Sequence, residues 1–167
     1  MAAAAGTPRP GELLDRFLAR LIDGLIMAIP YGIFYAILAS IFLSGFSNSL
    51  GEVLVFNLFM SLISTAIFLG YYAFLESSRG QTIGKQLMKL KVFGPDGASN
   101  PTMEQAIRRN IFLALGLLAI VPILGTLLNV VASIGAIILI VIGINKPPTR
   151  QHWFDEFAGG TQVMKVG

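Results

Sequence analysis

The sequence predicts an all-α integral membrane protein, and the scarcity and placement of its charges are the main reasons. The chain has 167 residues, of which 54% are hydrophobic and 13% are charged, whereas a soluble domain carries about 25% charged residues. Three stretches lack Asp, Glu, Lys and Arg altogether: residues 24–51, 53–75 and 110–145. A bilayer core about 30 Å thick takes about 20 helical residues. Each stretch is therefore long enough to cross a membrane.

The first 11 residues are rich in Ala and Pro and predict a disordered tail, and residues 12–165 predict a single transmembrane domain. The first helix is predicted over about 12–43, because acidic residues in its first turn suit the helix dipole. Residues 44–51 form a polar turn, and a second helix is predicted over about 53–75. These two helices predict an antiparallel hairpin.

Residues 76–109 have the composition of a soluble loop. Within this loop, the side chains of residues 89–93 alternate between outward and inward positions, and Gly-Pro-Asp-Gly follows them at residues 94–97. This pattern predicts a small strand and turn near 89–97. Thr102 and Gln105 have the spacing of a capping box. A helix that begins there would carry Arg108 and Arg109 to the membrane surface.

The third hydrophobic stretch, about 103–145, is too long for one crossing. Its 36 uncharged residues would make an α-helix about 54 Å long. Pro122 and Gly125 mark the predicted break, which gives two tilted spans or a re-entrant pair. An even number of crossings puts all twelve Lys and Arg residues on one side. The positive-inside rule then predicts a multi-pass protein of the cell (plasma or inner) membrane with both termini cytoplasmic.

Asp23 is the first candidate for a functional side chain. Arg16 lies two helical turns before it and Arg20 about one turn before it, on nearly the same face. An ionisable residue at the start of an apolar run is a functional candidate, since it is costly there without a partner or a watery cavity. The alternative is a structural ion pair with Arg20 or Arg16.

The C-terminal segment 146–165 predicts an amphipathic stretch in the membrane interface, with aromatic residues among charges. It contains Arg150 and Asp155. Asp155 could reach Arg16 or Arg20, or it could simply be solvated.

Polar residues also recur inside the spans, including Asn57, Ser61 and Asn129. They could line a hydrophilic path beside Asp23, or they could form interhelical hydrogen bonds. The loop motif consists of Gly80, Thr82, Gly84 and Lys85. It lacks the spacing of a Walker A loop, and it predicts a tight turn that leads a basic helix onto anionic lipid headgroups.

Several functions are not expected. The chain has no Cys and one histidine, His152, so neither a metal site nor a cofactor is predicted. No Ser-His-Asp arrangement is evident. We therefore expect no catalytic residues, no enzymatic activity and no nucleic-acid partner.

Three motifs in order resemble the RDD family of small membrane proteins. They are Arg16-x-x-Ala19-x-x-Ile22-Asp23, then Gly80-Gln81-Thr82-x-Gly84-Lys85 followed by Leu90-x-Val92, and lastly Arg150-x4-Asp155 before Ala158-Gly159-x-Thr161-x-Val163. The resemblance covers roughly residues 13–165. It implies that Arg16, Asp23 and Asp155 are the arginine and two aspartates that give the family its name. Family members usually place a histidine directly before the tail aspartate, whereas this chain has Phe154 there and His152 two residues earlier.

The resemblance implies transport, because some family members resemble cation/proton antiporters. The leading hypothesis is therefore a transporter of a cation or small solute, including cation/proton exchange, near Asp23. A homo-oligomer is one expected arrangement, since one subunit encloses little volume. The alternative is a non-transporting scaffold or interaction protein whose Arg/Asp cluster is structural. A third hypothesis is recognition of anionic lipid through the basic loop.

Overall fold

The protein is a helical membrane protein with a small polar cap at one end, which consists of a three-stranded sheet, three short helices and their connecting loops. The computed structural model describes residues 8–45 and 49–167. Three of its helices are long and apolar enough to cross a membrane, over Leu13–Phe42, Leu50–Arg79 and Leu124–Ile144. The predicted fold class is thereby confirmed. Of the predicted polar turn 44–51, residues 46–48 lie outside the described residues, as do residues 1–7 of the predicted tail.

Helix α1 covers Leu13–Gly45 and runs continuously through Pro30. Helix α2 covers Leu50–Arg79 and is longer at both ends than the predicted 53–75. Its start is fixed by a capping box between Ser49 and Glu52, and Gly80 ends it in the left-handed conformation. A capping box satisfies two amide donors at a helix start, and glycine adopts positive φ without a Cβ penalty. These local signals extended the helix past the charge-free stretch.

The predicted hairpin of α1 and α2 is held in part by aromatic pairs. Tyr31 packs edge-on against Phe68, with ring centroids 5.4 Å apart, and Tyr35 packs similarly against Phe56. Such pairs contribute beyond their buried area. The apolar ring contacts join the two helices in the middle of their length.

The third hydrophobic stretch breaks at Pro122, as predicted. Helix α4 (Met103–Asn110) continues into a 3₁₀ helix (Ile111–Ile120), and α5 (Leu124–Ile144) follows the break. The two limbs approach closely, because a Cβ on Gly125 would lie 2.0 Å from the carbonyl oxygen of Leu118. Both ends of the stretch lie at the polar cap. Asn110 bonds to Glu76 at the end of α2, and Gly143 lies against His152.

A three-stranded antiparallel sheet with order β1-β3-β2 lies in the cap. The strands are β1 (Arg9–Pro10), β2 (Leu90–Phe93) and β3 (Gln162–Lys165). The predicted strand and turn near 89–97 is confirmed. The predicted disorder of the tail fails for residues 9–11, since Arg9 pairs with Lys165 and Gly11 donates to Val163. The predicted interfacial segment 146–165 ends in strand β3. The reason is long-range pairing, which joins segments about 150 residues apart.

The sheet packs on α1 through a small apolar core of Ala19, Leu90, Val92 and Val163, all at most 1% exposed. Short helices α3 (Ile83–Leu87) and α6 (Trp153–Phe157) complete the cap. The polar cap thus consists of the sheet, α3, α4, α6 and their connecting loops. The cap therefore sits on the charged ends of α1 and α2.

Candidate functional site

Asp23 is fully buried and accepts three hydrogen bonds. The Tyr71 hydroxyl donates to Oδ1 at 2.8 Å, the Thr82 hydroxyl to Oδ2 at 2.6 Å and the Gly84 amide to Oδ1 at 2.7 Å. A buried carboxylate needs such donors to replace its lost water. The predicted structural ion pair of Asp23 with Arg16 or Arg20 is wrong. Asp23 is held by neutral donors from α2 and α3.

The loop motif builds this carboxylate site. Thr82 is the N-cap of α3, where its hydroxyl also accepts from the Lys85 amide. Gly84 lies directly against α1, because a Cβ there would lie 2.0 Å from the carbonyl oxygen of Ala19. A glycine facing an alanine lets the two backbones meet. The motif is therefore a docking element for α1.

Lys85 contradicts the prediction of a basic helix facing lipid headgroups. It is 7% exposed and forms a salt bridge with Glu76. Burial lowers the pKa of Lys85 to about 8, with Glu76 opposing the shift and Arg109 adding to it. Burial without the carboxylate would be costly, since an isolated buried charge is strongly destabilising. Lys85 therefore joins the buried charge cluster of the cap.

Asp155 forms the second carboxylate site, and its predicted approach to Arg16 is confirmed. Arg16 Nη1 lies 3.3 Å from Oδ2, and Arg109 Nε lies 3.1 Å from Oδ1. The Thr161 hydroxyl also donates to Oδ1 at 3.3 Å. Burial raises the pKa of Asp155, but the charge of Arg109 and its other cationic neighbours outweighs burial, so the net pKa is lowered. Asp155 is thus a buried, ionised acceptor.

Arg16 links the segment before α1 to the C-terminal part of the cap. Besides Asp155, its guanidinium donates to the carbonyl oxygens of Gly11 at 3.1 Å and Arg150 at 2.7 Å. Arg150 therefore contributes its backbone carbonyl oxygen as an acceptor, and its backbone has a positive φ of 50°. Positive φ is uncommon for residues other than glycine.

His152 is the N-cap of α6. Its Nδ1 accepts from the Asp155 amide at 3.2 Å, and the Asp155 side chain accepts from the His152 amide at 3.3 Å. Burial lowers the pKa of His152 to about 4, and Arg109 and Arg16 lower it further against the attraction of Asp155. At neutral pH the imidazole is therefore neutral and acts as a cap.

Glu76 is one of the site residues that sequence reasoning missed. It is fully buried at the end of α2 and contacts Lys85, Arg109 at 3.8 Å and the Asn110 side-chain amide at 3.0 Å. Arg109 was expected at the membrane surface, but it is 5% exposed and lies between Glu76 and Asp155. A signal existed, because Glu76 is the only carboxylate between residue 53 and residue 95.

Arg20 lies beside this cluster. Its Nη1 donates to Asn110 Oδ1 at 3.1 Å, and its guanidinium lies 3.8 Å from the Tyr72 ring centroid. Among the described residues, Arg20 Nη2 and Arg109 Nη1 are buried without a hydrogen-bond partner. Leaving a buried donor unsatisfied costs about 1–3 kcal/mol, and more for a charged group.

The intramembrane polar residues do not surround Asp23. Along α2, Ser61 lies ten residues and Asn57 fourteen residues before Tyr71, about 15 and 21 Å away at the helical rise. Asn129 instead donates to the Leu115 carbonyl oxygen at 2.6 Å, which links α5 to the 3₁₀ limb. Asn129 is thus an interhelical hydrogen-bond donor.

A pocket of about 420 Å³ opens between α1 and the third stretch, next to the charge cluster. Its polar lining consists of Arg16, Arg20, Lys85, Arg109 and His152. Leu, Ile, Val and Phe side chains form the remaining wall. In the described part of the chain, no group of three or more His, Cys, Asp or Glu side chains could hold a metal ion.

The comparisons with known proteins agree with the motifs. The model of the RDD family matches residues 10–159, a range that contains Arg16, Asp23, the loop motif and Asp155. Neither a curated protein nor a solved structure matches the chain. The matched range covers most of the chain, from the first strand to the end of α6, and the chain belongs to the RDD family of small membrane proteins.

Proposed function

We propose that this protein is a non-transporting membrane scaffold or interaction protein, in which the Arg/Asp set fastens the polar cap to the membrane helices. The observation that carries the proposal is the environment of Asp23, which is 0% exposed and accepts from Tyr71, Thr82 and Gly84. A carboxylate that exchanges protons or cations needs access to water or ions. Here protein donors occupy both of its oxygens.

The other carboxylates support the same proposal. Asp155 and Glu76 are fully buried, and each lies against arginine or lysine. A cation would have to displace these side chains to find oxygen ligands. Carboxylates that are buried and paired with arginine or lysine fix the geometry of a site more readily than they release an ion.

Transport of a cation or small solute, including cation/proton exchange, is the second candidate. The 420 Å³ pocket beside the charge cluster favours it, since transporters hold substrates in cavities between helices. The cationic lining, however, suits an anionic solute better than a cation.

A flux assay separates the two candidates. The wild type and Asp23→Asn would be reconstituted in proteoliposomes, and exchange would be measured across a pH gradient with Na⁺, K⁺ and Li⁺. We expect no exchange above protein-free vesicles, and a lower melting temperature for Asp23→Asn. Exchange that the wild type performs and Asp23→Asn loses, at an unchanged melting temperature, would instead establish transport.

The orientation is part of the proposal. We place the polar cap in the cytoplasm of a cell with a plasma or inner membrane, because the described Lys and Arg residues lie on the cap or on the helix ends beside it and cytoplasmic loops carry the excess of such residues. A reporter active only outside the membrane, fused after Gly167, should be inactive. Cross-linking in native membranes would test the predicted homo-oligomer, and enzymatic activity stays unexpected.

A further inference from the structure

The pocket beside the charge cluster has the shape and polarity of a site for one amphiphile. It lies between α1 and the third stretch, and its volume of about 420 Å³ falls within the range of ligand pockets, about 300–1,000 Å³. One end is polar and the other is apolar. Phe17 on α1 and Ile137 on α5 line the apolar part, and both are 57% exposed. The apolar part therefore opens sideways, where an acyl chain could enter from the bilayer.

The charged side chains that line the polar end are all cationic. They are Arg16, Arg20, Lys85 and Arg109. The partner carboxylates Glu76 and Asp155 do not line the pocket in the described chain. The lining therefore presents a positive surface, which complements an anion and opposes a cation.

Two of these cations have donors left over. Arg20 Nη2 and Arg109 Nη1 are buried and lack a hydrogen-bond partner in the described chain, and Arg109 is 5% exposed. Arg16, in contrast, uses its donors on Asp155 and on backbone carbonyls. Guanidinium groups pair well with phosphate oxygens, and unused donors in a cationic pocket call for such an acceptor.

We propose that this pocket binds one anionic phospholipid, with its phosphate on Arg20 and Arg109 and an acyl chain along the apolar wall. The site lies at the junction of the membrane helices and the polar cap, which is where the proposal places the lipid headgroups. Its occupant would satisfy both free guanidinium donors and fill the gap between α1 and α5. The proposal does not depend on whether the protein transports a solute.

The test is lipid-dependent thermal stability of the delipidated protein in an uncharged detergent. Phosphatidylglycerol, phosphatidylcholine and inorganic phosphate would be added separately. We expect phosphatidylglycerol to raise the melting temperature by several degrees, and the other two to have at most a small effect. A full shift with inorganic phosphate alone would assign the site to a free anion, and an equal shift with phosphatidylcholine would remove the role of charge. Either result overturns the proposal.

Two variants and their controls locate the effect. Arg20→Gln removes one free donor, and Ile137→Trp fills the apolar wall without changing charge. The matched controls are Arg79→Gln, which removes a charge from the exposed end of α2, and Ile138→Trp, at an exposed position of α5 that does not line the pocket. The phosphatidylglycerol shift should fall at least several-fold in the first two proteins and persist in the controls. An equal shift in Ile137→Trp and Ile138→Trp would contradict the proposal, even if Arg20→Gln failed to fold.

Discussion

Burial and charge pairing fix the positions of single side chains where the cap meets the membrane helices. Glu76 and Asp155 have no exposed surface, and Arg109 lies within 3.8 Å of both. Removing one member of a buried charge set leaves an uncompensated charge, which is far more destabilising than removing an exposed ion pair. We therefore expect substitutions of buried charged residues to destabilise the protein more than substitutions of exposed ones.

Glu76→Gln should reduce the free energy of unfolding by about 3–5 kcal/mol, because Lys85 and Arg109 would lose their shared carboxylate. Thermal unfolding of the purified protein in detergent measures the effect. Glu104→Gln is the matched control, since Glu104 forms an exposed ion pair with Arg108, and its effect should stay below about 1 kcal/mol. Equal effects of the two substitutions would contradict the buried cluster.

His152 should make the protein less stable in mild acid. Its pKa is about 4 in the folded protein and about 6.5 in an unfolded chain, so between these values the unfolded chain binds more protons. Stability therefore falls as the pH decreases from 6.5 to 4, by at most about 3 kcal/mol. Melting temperatures at pH 7 and 4.5 measure the loss.

His152→Asn is the variant for this pH test, because asparagine can still cap α6 but does not titrate. The wild type should lose more stability than His152→Asn between pH 7 and 4.5. Above pH 4.5 the ordinary pKa of Asp155 is already passed and its lowered pKa is further away, so Asp155 does not contribute. Parallel pH profiles would show that the histidine is not buried as described.

At the scale of elements, the contact between α1 and α3 attaches the cap to the membrane helices. Ala19 and Asp23 are one helical turn apart on α1 and both face Gly84 of α3. The turn supplies a close backbone contact and a hydrogen bond at the same point. This explains the small residues and the aspartate that the motif has at these positions in this chain.

Gly84→Ala should separate α1 from α3, because the added Cβ would lie 2.0 Å from the Ala19 carbonyl oxygen. Overpacking of this kind costs typically about 1–3 kcal/mol. We expect a lower melting temperature and faster proteolysis of the cap. Gly70→Ala is the control, since nothing lies within 4 Å of its added Cβ. A melting temperature of Gly84→Ala equal to that of Gly70→Ala would refute the contact.

At the scale of the whole molecule, the sheet joins the two ends of the chain. Arg9 in β1 is the register partner of Lys165 in β3. The segment before α1 and the segment after α6 therefore lie side by side in the same cap. The same sheet holds β2 of the central loop. The cap is therefore assembled from three distant segments.

Paired cysteines can test this assembly cleanly, because the natural chain has none. Cα atoms of directly paired residues lie about 4.5–5.5 Å apart, within the range that a disulfide bridges. Oxidation of the double variant Arg9→Cys and Lys165→Cys should give a cross-linked monomer that migrates differently on a non-reducing gel. The pair Leu50→Cys and Lys165→Cys should not cross-link, because Leu50 lies at the end of α2 far from the cap and Lys165 lies in β3 of the cap. Cross-linking of both pairs would contradict the topology.

The sequence by itself determined the membrane class, the helix hairpin, the break at Pro122, the capping box at Thr102 and the approach of Asp155 to Arg16. These features depend on local composition, helical period or the family motif. Only the tertiary structure decided that Asp23 is held by Thr82 and Gly84, that Arg109 and Lys85 turn inward to Glu76, and that residues 9–10 form a strand. Each of these depends on partners far apart in the chain. The sequence gives the position of each charged residue along the chain, but only the folded structure decides which oppositely charged residue it contacts.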